Sequence, residues 1–229
     1  MILTDFLNGI FSAMRKDSFP QLPNLPKSFS ALTLDTFDDY AEVGNAKIAS
    51  ADLIGISAKN AVIEESVLQR VILTSAQLSK LRLRDVRLEG CDLSAAHLDQ
   101  THLLRVEVRS SRLIGVQILE AGLTDLFFKD CNLEGAVFAS VRGKHLRFEN
   151  CQLKNAAFES AELENVTFSH CDLHHASFFN TKLKHADLRG SNIDGMQIAP
   201  EAVRGMVITS MQALQMVGLL GVIVDDRED

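Results

Sequence analysis

Seven histidines and four cysteines are spread through the 229 residues, and the tightest group is His170, Cys171, Asp172, His174 and His175. Imidazole, thiolate and carboxylate are the usual zinc donors, so this spacing invites a metal centre. Two features argue against one. Asp172 is the only carboxylate beside these histidines, and Cys171 falls on a position that the chain's periodicity turns inward. The histidines therefore read as surface residues, and so do His145 and His185, which lie 40 residues apart. The cysteines Cys91, Cys131, Cys151 and Cys171 are spaced by 40, 20 and 20 residues, which matches neither CxxC nor a zinc framework. There is no GxSxG, HExxH, P-loop or GxGxxG. The expectation is a protein that is not an enzyme, with no catalytic, cofactor-binding or metal site.

The same spacings lead to the elements that must carry these side chains. From Ile48 to Ile198 every fifth residue is apolar or small, 31 positions in one frame, with Gly143 its only member lacking a side chain. A second set two residues earlier is mostly Ala, Ser or Cys. A period of five fits neither a helix nor a flat strand. It fits a solenoid in which five residues make one side of a square, residues i and i−2 face inward, and twenty residues complete a coil. The frame holds between seven and eight coils, a rod roughly 35 to 38 Å long at strand spacing. Residues twenty apart should then stack. Cys91, Ser111, Cys131, Cys151, Cys171 and Ser191 share one column; Phe128, Phe148 and Phe168 share another; Phe138, Phe158 and Phe178 face them from the opposite side. Such alternation suits a narrow, densely packed interior.

Ala51-Asp52-Leu53, Cys91-Asp92-Leu93, Cys171-Asp172-Leu173 and Ala186-Asp187-Leu188 resemble the A(D/N)LXX consensus of the pentapeptide repeat family. The resemblance covers roughly two thirds of the chain and implies an all-β fold, a right-handed quadrilateral β-helix with short helical caps. Three regions are expected: 1–45, an amphipathic helix, proline-containing linker and cap; 46–198, the β-helix; 199–229, a helical cap, strand and acidic tail. Leu3, Phe6, Leu7, Ile10, Phe11 and Met14 have helical spacing, which predicts a helix packed on the first coil or on a neighbour. Phe19-Pro20-Gln21-Leu22-Pro23-Asn24-Leu25-Pro26 reads as a stiff, extended linker. Thr209 and Gln212 form a capping-box pair, followed by Met211, Leu214 and Val217 on one face and Gly218 as a stop. That helix closes the rod, and Val222-Ile223-Val224 follows as a strand. The stretch from Gly205 to Leu214 resembles the ending of the Qnr-type quinolone-resistance group. It implies a homodimer through Met206, Ile208, Met211, Leu214, Val217 and Leu220.

Charge limits the partners. The net charge is −7, but residues 46–198 carry 19 acids and 18 bases, so the excess sits at the ends. The most acidic side is that of Leu93, with Asp52, Asp92, Glu134, Asp172 and Asp194. No basic patch for nucleic acid is expected. No run of eighteen apolar residues is present, and the start lacks the features of a signal peptide, so neither membrane insertion nor export is expected and the protein reads as cytoplasmic. Leu104, Ile114, Leu119, Phe127, Val137 and Phe179 are apolar at outward positions. Leu119, Val137 and Phe179 share one side, the first choice for a contact surface. Gly143 leaves a gap in the column of Leu123 and Leu163, to be filled by neighbours or to bend the corner at Arg142, Lys144 and His145. The residues point to a non-catalytic protein-binding scaffold acting through the outside of the rod. The resemblance adds an alternative: a DNA mimic that binds a type II topoisomerase, DNA gyrase or topoisomerase IV, and protects it from quinolones.

Overall fold

The structure, a computed structural model, describes residues 19–218 together with 222 and 223. Its body is a right-handed parallel β-helix of about eight turns. Six strands of eight residues, Val62–Gln69, Arg82–Glu89, His102–Arg109, Gly122–Lys129, Arg142–Glu149 and Glu162–Ser169, form its widest sheet. Each pairs in parallel at an offset of twenty, so that Leu83, Leu103, Leu123, Gly143 and Leu163 lie side by side. These strands cover two sides of the square. The other two sides carry three-residue strands such as Gln117–Leu119 and Val137–Ala139, and single bridges such as Asp92 to Arg112.

Of the 31 positions in the inward frame, 30 are buried and Leu183 is half-buried. The corners follow an equally strict rule. Every fifth residue from Tyr40 to Gly195 has a positive φ, and 26 residues other than glycine do so in all. A left-handed residue turns the chain while its N–H stays in the intercoil ladder, as in Lys80 N–H to Asp99 O at 2.7 Å. The conformation costs roughly 1 kcal/mol for an L side chain. Burial of two side chains per five residues offsets that cost.

The core changes character along the rod. Phe128, Phe148 and Phe168 stack with centroids 4.9 Å apart, Phe138, Phe158 and Phe178 at 4.8 and 4.9 Å, and the two columns meet edge to face at 5.7 to 6.1 Å. Toward the N-terminus aliphatic residues leave a cavity of about 50 Å³ without polar lining, between Leu34 and Phe128. At Gly143 neighbours take the empty space: a Cβ there would lie 2.7 Å from both Leu146 Cδ1 and Leu163 Cδ2. The strand runs unbroken through it, and His145 turns with φ 55° like the rest of its column, so the bent corner allowed by the sequence is not formed.

The ladder reaches past the frame read from sequence. Ser30–Leu32 pairs with Ala46–Ile48, Glu42–Gly44 pairs with Val62–Glu64, and Val207 bridges to Asp187. The expected helix at residues 3–14 lies outside the described residues, as do Leu220 and Val224. The proline-containing segment is extended, as its composition predicts, and lies as a strap along the rod. Arg147 sits 5.0 Å over the Phe19 ring, Asn24 N–H donates to Asp85 Oδ1 at 2.8 Å, and Ser30 pairs with Ala46. From Arg147 back to Lys47 is five coils, about 24 Å at strand spacing.

At the other end Thr209 and Gln212 form the expected capping box on the helix Ser210–Val217. Gln212 is also buried, and its Nε2 donates to Leu188 O at 2.7 Å and Ser191 O at 2.9 Å. One side chain thus starts the helix and satisfies carbonyls of the last coil. Gly218 ends the helix with ordinary right-handed geometry. Val222 and Ile223 are exposed and lie in no strand.

Candidate functional site

A filled rod offers its exterior, and each side presents outward columns one strand spacing apart. On the sides of Leu83 and Leu88 these columns hold ion pairs between successive coils. Arg84 meets Glu64 at 2.7 Å, Lys182 meets Glu162 at 2.7 Å and Lys184 meets Glu164 at 2.6 Å. Such exposed pairs add little stability, but they cancel charge locally. Others are less exposed. Arg105 holds Asp85 through both guanidinium arms, at 2.7 and 2.6 Å, and keeps that carboxyl below its usual range. Lys129 and then Arg147 do the same for Glu149. Glu107 is fully buried although the repeat points it outward. Arg87 Nε lies 2.6 Å from its Oε2 and Arg109 Nη2 lies 2.5 Å from its Oε1. Val67, in the same column, is also buried, on the side along which the strap runs.

The acids on the Leu93 side are largely engaged in their own turns. Asp52, Asp92 and Asp172 accept from the N–H of Ile54, Ser94 and His174 at 3.3, 2.9 and 3.1 Å. Asn132 and Asn192 do likewise for Glu134 and Asp194. The D/N of the repeat is therefore a turn-closing residue first. Asp92 also faces Arg112 at 3.6 Å, Asp172 faces Lys154 at 3.3 Å and Asp194 faces His174 at 3.3 Å. Glu134 has no ion pair among the described residues.

The apolar candidates sit on the adjoining Leu98 side, where charge is scarce. Leu119 and Val137 are half-buried, and Leu119 pairs with Ala139 across the strands Gln117–Leu119 and Val137–Ala139. Phe179 is 71% exposed, two coils beyond Ala139 with Glu159 between. Ala157 bridges to Val137 and extends the flat surface. Elsewhere Phe127 is half-buried, with Arg147 at 5.7 Å from its ring.

At the C-terminal cap Met206, Ile208 and Val217 line an apolar groove of about 160 Å³ with Pro200, Val203, Ala213 and Met216. Met211 and Leu214 point to solvent, 72% and 56% exposed. The expected apolar face of the helix is thus split: Ala213 and Met216 share its rod-facing side, while Met211 and Leu214 are left outside.

The histidines and cysteines behave as their positions require. His174 and His175 have ring centroids 4.0 Å apart, His145 Nδ1 lies 3.1 Å from Asp125 Oδ1, and no group able to hold a metal occurs among the described residues. All four thiols are free and buried. Burial pushes Cys91 up, and the hydrogen bond between Cys131 and Cys151 leads the effects that push Cys151 up to about 12 and Cys131 down. Burial, common to all four, keeps reagents away from them. Among the described residues no helix is long and apolar enough to cross a membrane. Sequence reasoning missed the burial of Glu107 and the plug made by Gln212. Both depend on which distant segment lies over a surface, which no local pattern records.

Two family models match the chain, one described as pentapeptide repeat region over residues 121–198 and one as pentapeptide repeats (8 copies) over residues 51–90. No curated protein matches. Among solved structures, a trypsin-treated variant of QnrB1, a plasmid-mediated fluoroquinolone resistance protein, is 20% identical. It covers 82% of this chain and 99% of its own, with a TM-score of 0.43. HetL, a pentapeptide repeat protein involved in heterocyst differentiation regulation from the cyanobacterium Nostoc sp., is 17% identical, covering 74% of this chain and 87% of its own, with a TM-score of 0.36.

Proposed function

Because this chain belongs to the pentapeptide repeat family, we propose that it is a non-catalytic scaffold that binds a protein partner through the outer faces of its rod. One observation carries the reading. The Leu83 and Leu88 sides are occupied by intercoil ion pairs and, in part, by the strap, while the Leu98 side presents Leu119, Val137, Ala139, Ala157 and Phe179 on a flat surface with little charge. A rigid sheet face loses little conformational entropy on docking. Phe179 supplies the large exposed side chain expected of an anchor. The rod dimerises through its C-terminal cap, where Met211 and Leu214 stand exposed beside the apolar groove. The buried free thiols suit a reducing compartment such as the cytoplasm.

The test is affinity capture with wild-type protein and with Val137→Arg and Phe179→Arg. A partner held by the wild type and lost by both variants, with rods equally stable, supports the reading. A partner retained by both moves the contact elsewhere. Binding to a type II topoisomerase is the narrower alternative, resting on family resemblance. A duplex presents a phosphate charge about every 1.7 Å, whereas here Asp92, Asp172 and Asp194 face bases and three carboxylates close turns. Gyrase supercoiling and fluoroquinolone-stabilised cleavage, unchanged at micromolar protein, would eliminate it.

A further inference from the structure

Among the described residues of the coils, twelve lysines and arginines stand within ion-pair distance of a carboxylate. Six others, Lys47, Lys59, Arg70, Lys80, Arg82 and Lys144, do not, and of these Lys80 and Arg82 stand two residues apart. They flank the inward Leu81 at the corner between the Leu78 and Leu83 sides, so both side chains point outward from one turn of backbone. One coil on, Gln100 and His102 flank the inward Thr101 in the same way. These four, with Tyr40, Asn60 and Glu120, line an open groove of about 720 Å³.

The groove is cationic for a structural reason. Glu120 is its only carboxylate, and Gln100 Nε2 already donates to Glu120 Oε2 at 3.0 Å. The column of Arg82 and His102 continues as Gly122, where a Cβ would sit 3.3 Å from His102 Cδ2. The imidazole thus lies against Gly122, in the space a side chain there would take. Tyr40, 71% exposed, closes the other end with a ring and a hydroxyl. The two cations belong to different sides and meet only at the corner.

We propose that this groove binds a phosphate monoester. An arginine fork matches two phosphate oxygens, and a lysine adds a point charge that can follow the third. Asn60, Gln100 and His102 supply side-chain N–H donors around them, and Tyr40 is placed to meet the organic group. An open polar groove of this kind does not bury an apolar molecule, so charge and hydrogen bonds must carry recognition.

Titration calorimetry at low ionic strength tests it with three probes: inorganic phosphate, O-phosphoserine and AMP. The wild type should bind at least one of them saturably, with Kd on the order of 1 mM or tighter. The double variant Lys80→Ala/Arg82→Ala should bind at least about tenfold more weakly. Both side chains are exposed, so its thermal midpoint should match the wild type. Lys182→Ala, which removes a lysine paired with Glu162 elsewhere on the rod, should bind as the wild type does. Tighter binding of AMP that Tyr40→Ala removes would identify a nucleotide, and equal affinity for the three would identify the phosphate group alone; either upholds the site. Absence of saturable binding for all three probes overturns the proposal. So does unchanged binding by the double variant, or an equal loss in Lys182→Ala.

Discussion

Phe148 is the side chain on which the aromatic half of the rod converges, and replacing it by alanine should come close to unfolding the protein. It stacks on Phe128 and Phe168 at 4.9 Å and meets Phe138 and Phe158 edge to face at 6.1 Å, fully buried. Truncating a buried phenylalanine costs about 3 to 5 kcal/mol through lost transfer energy and the cavity left behind. Four ring pairs vanish as well, each worth about 0.5 to 1.5 kcal/mol when measured singly. These figures overlap, so about 5 kcal/mol is the working value. It is comparable with the whole stability of many domains, roughly 5 to 15 kcal/mol. Phe148→Leu keeps most of the volume and loses only the ring contacts, so about 2 kcal/mol is expected. Gln152→Ala, on the exposed side of the neighbouring turn, should stay within about 0.5 kcal/mol. Urea unfolding followed by circular dichroism gives all three midpoints. If Phe148→Ala cost less than about 2 kcal/mol, or no more than Gln152→Ala, the stacked interior described here would be wrong.

Gln212→Ala should cost about 2 kcal/mol, because it strips the buried carbonyls of Leu188 and Ser191 of their donor; hydrogen exchange should rise in the last coil and stay unchanged near Val106. Ala95 holds φ at 55°, so Ala95→Gly should raise the thermal midpoint by the equivalent of about 1 kcal/mol; an unchanged or lower midpoint would show that the corners are not strained. The thiols should resist alkylation in the native state and react on unfolding. The folded pKa of Cys151 is raised from 9.0 to about 12, so its contribution to stability is present below pH 9 and declines as pH rises from there toward 12. Asp85 and Glu149 act in the opposite sense. Their folded values are lowered, so they stabilise the rod above the usual carboxylate range and lose that contribution as pH falls through it. Midpoints measured between pH 3 and 11 should trace both limbs.

The two ends of the chain show where local pattern stops being informative. Residues 19–26 read as extended because proline restricts the backbone of each neighbour. Nothing in them tells that Asn24 meets Asp85 and Phe19 meets Arg147. Gln212 was legible as half of a capping box, since its partner Thr209 is three residues away, but not as the plug for Leu188 and Ser191. On the candidate site, Leu119, Val137 and Phe179 could be assigned to one side by counting in twenties. Asp52, Asp92 and Asp172 were visible as an acidic side, yet their role in closing turns follows from a two-residue hydrogen bond that counting does not reveal.

The sequence alone determined the square section, the inward frame, the stacking of the phenylalanines and cysteines and the near-neutral charge of the coils. Each follows from a period repeated over many coils, so every unit restates the same constraint. Tertiary structure alone decided which outward charges cancel, that Glu107 is buried, that the strap lies along the rod, and that Lys80 and Arg82 stand without a carboxylate partner at one corner. Those outcomes depend on side-chain reach and on contacts between distant segments, for which the repeat prescribes nothing.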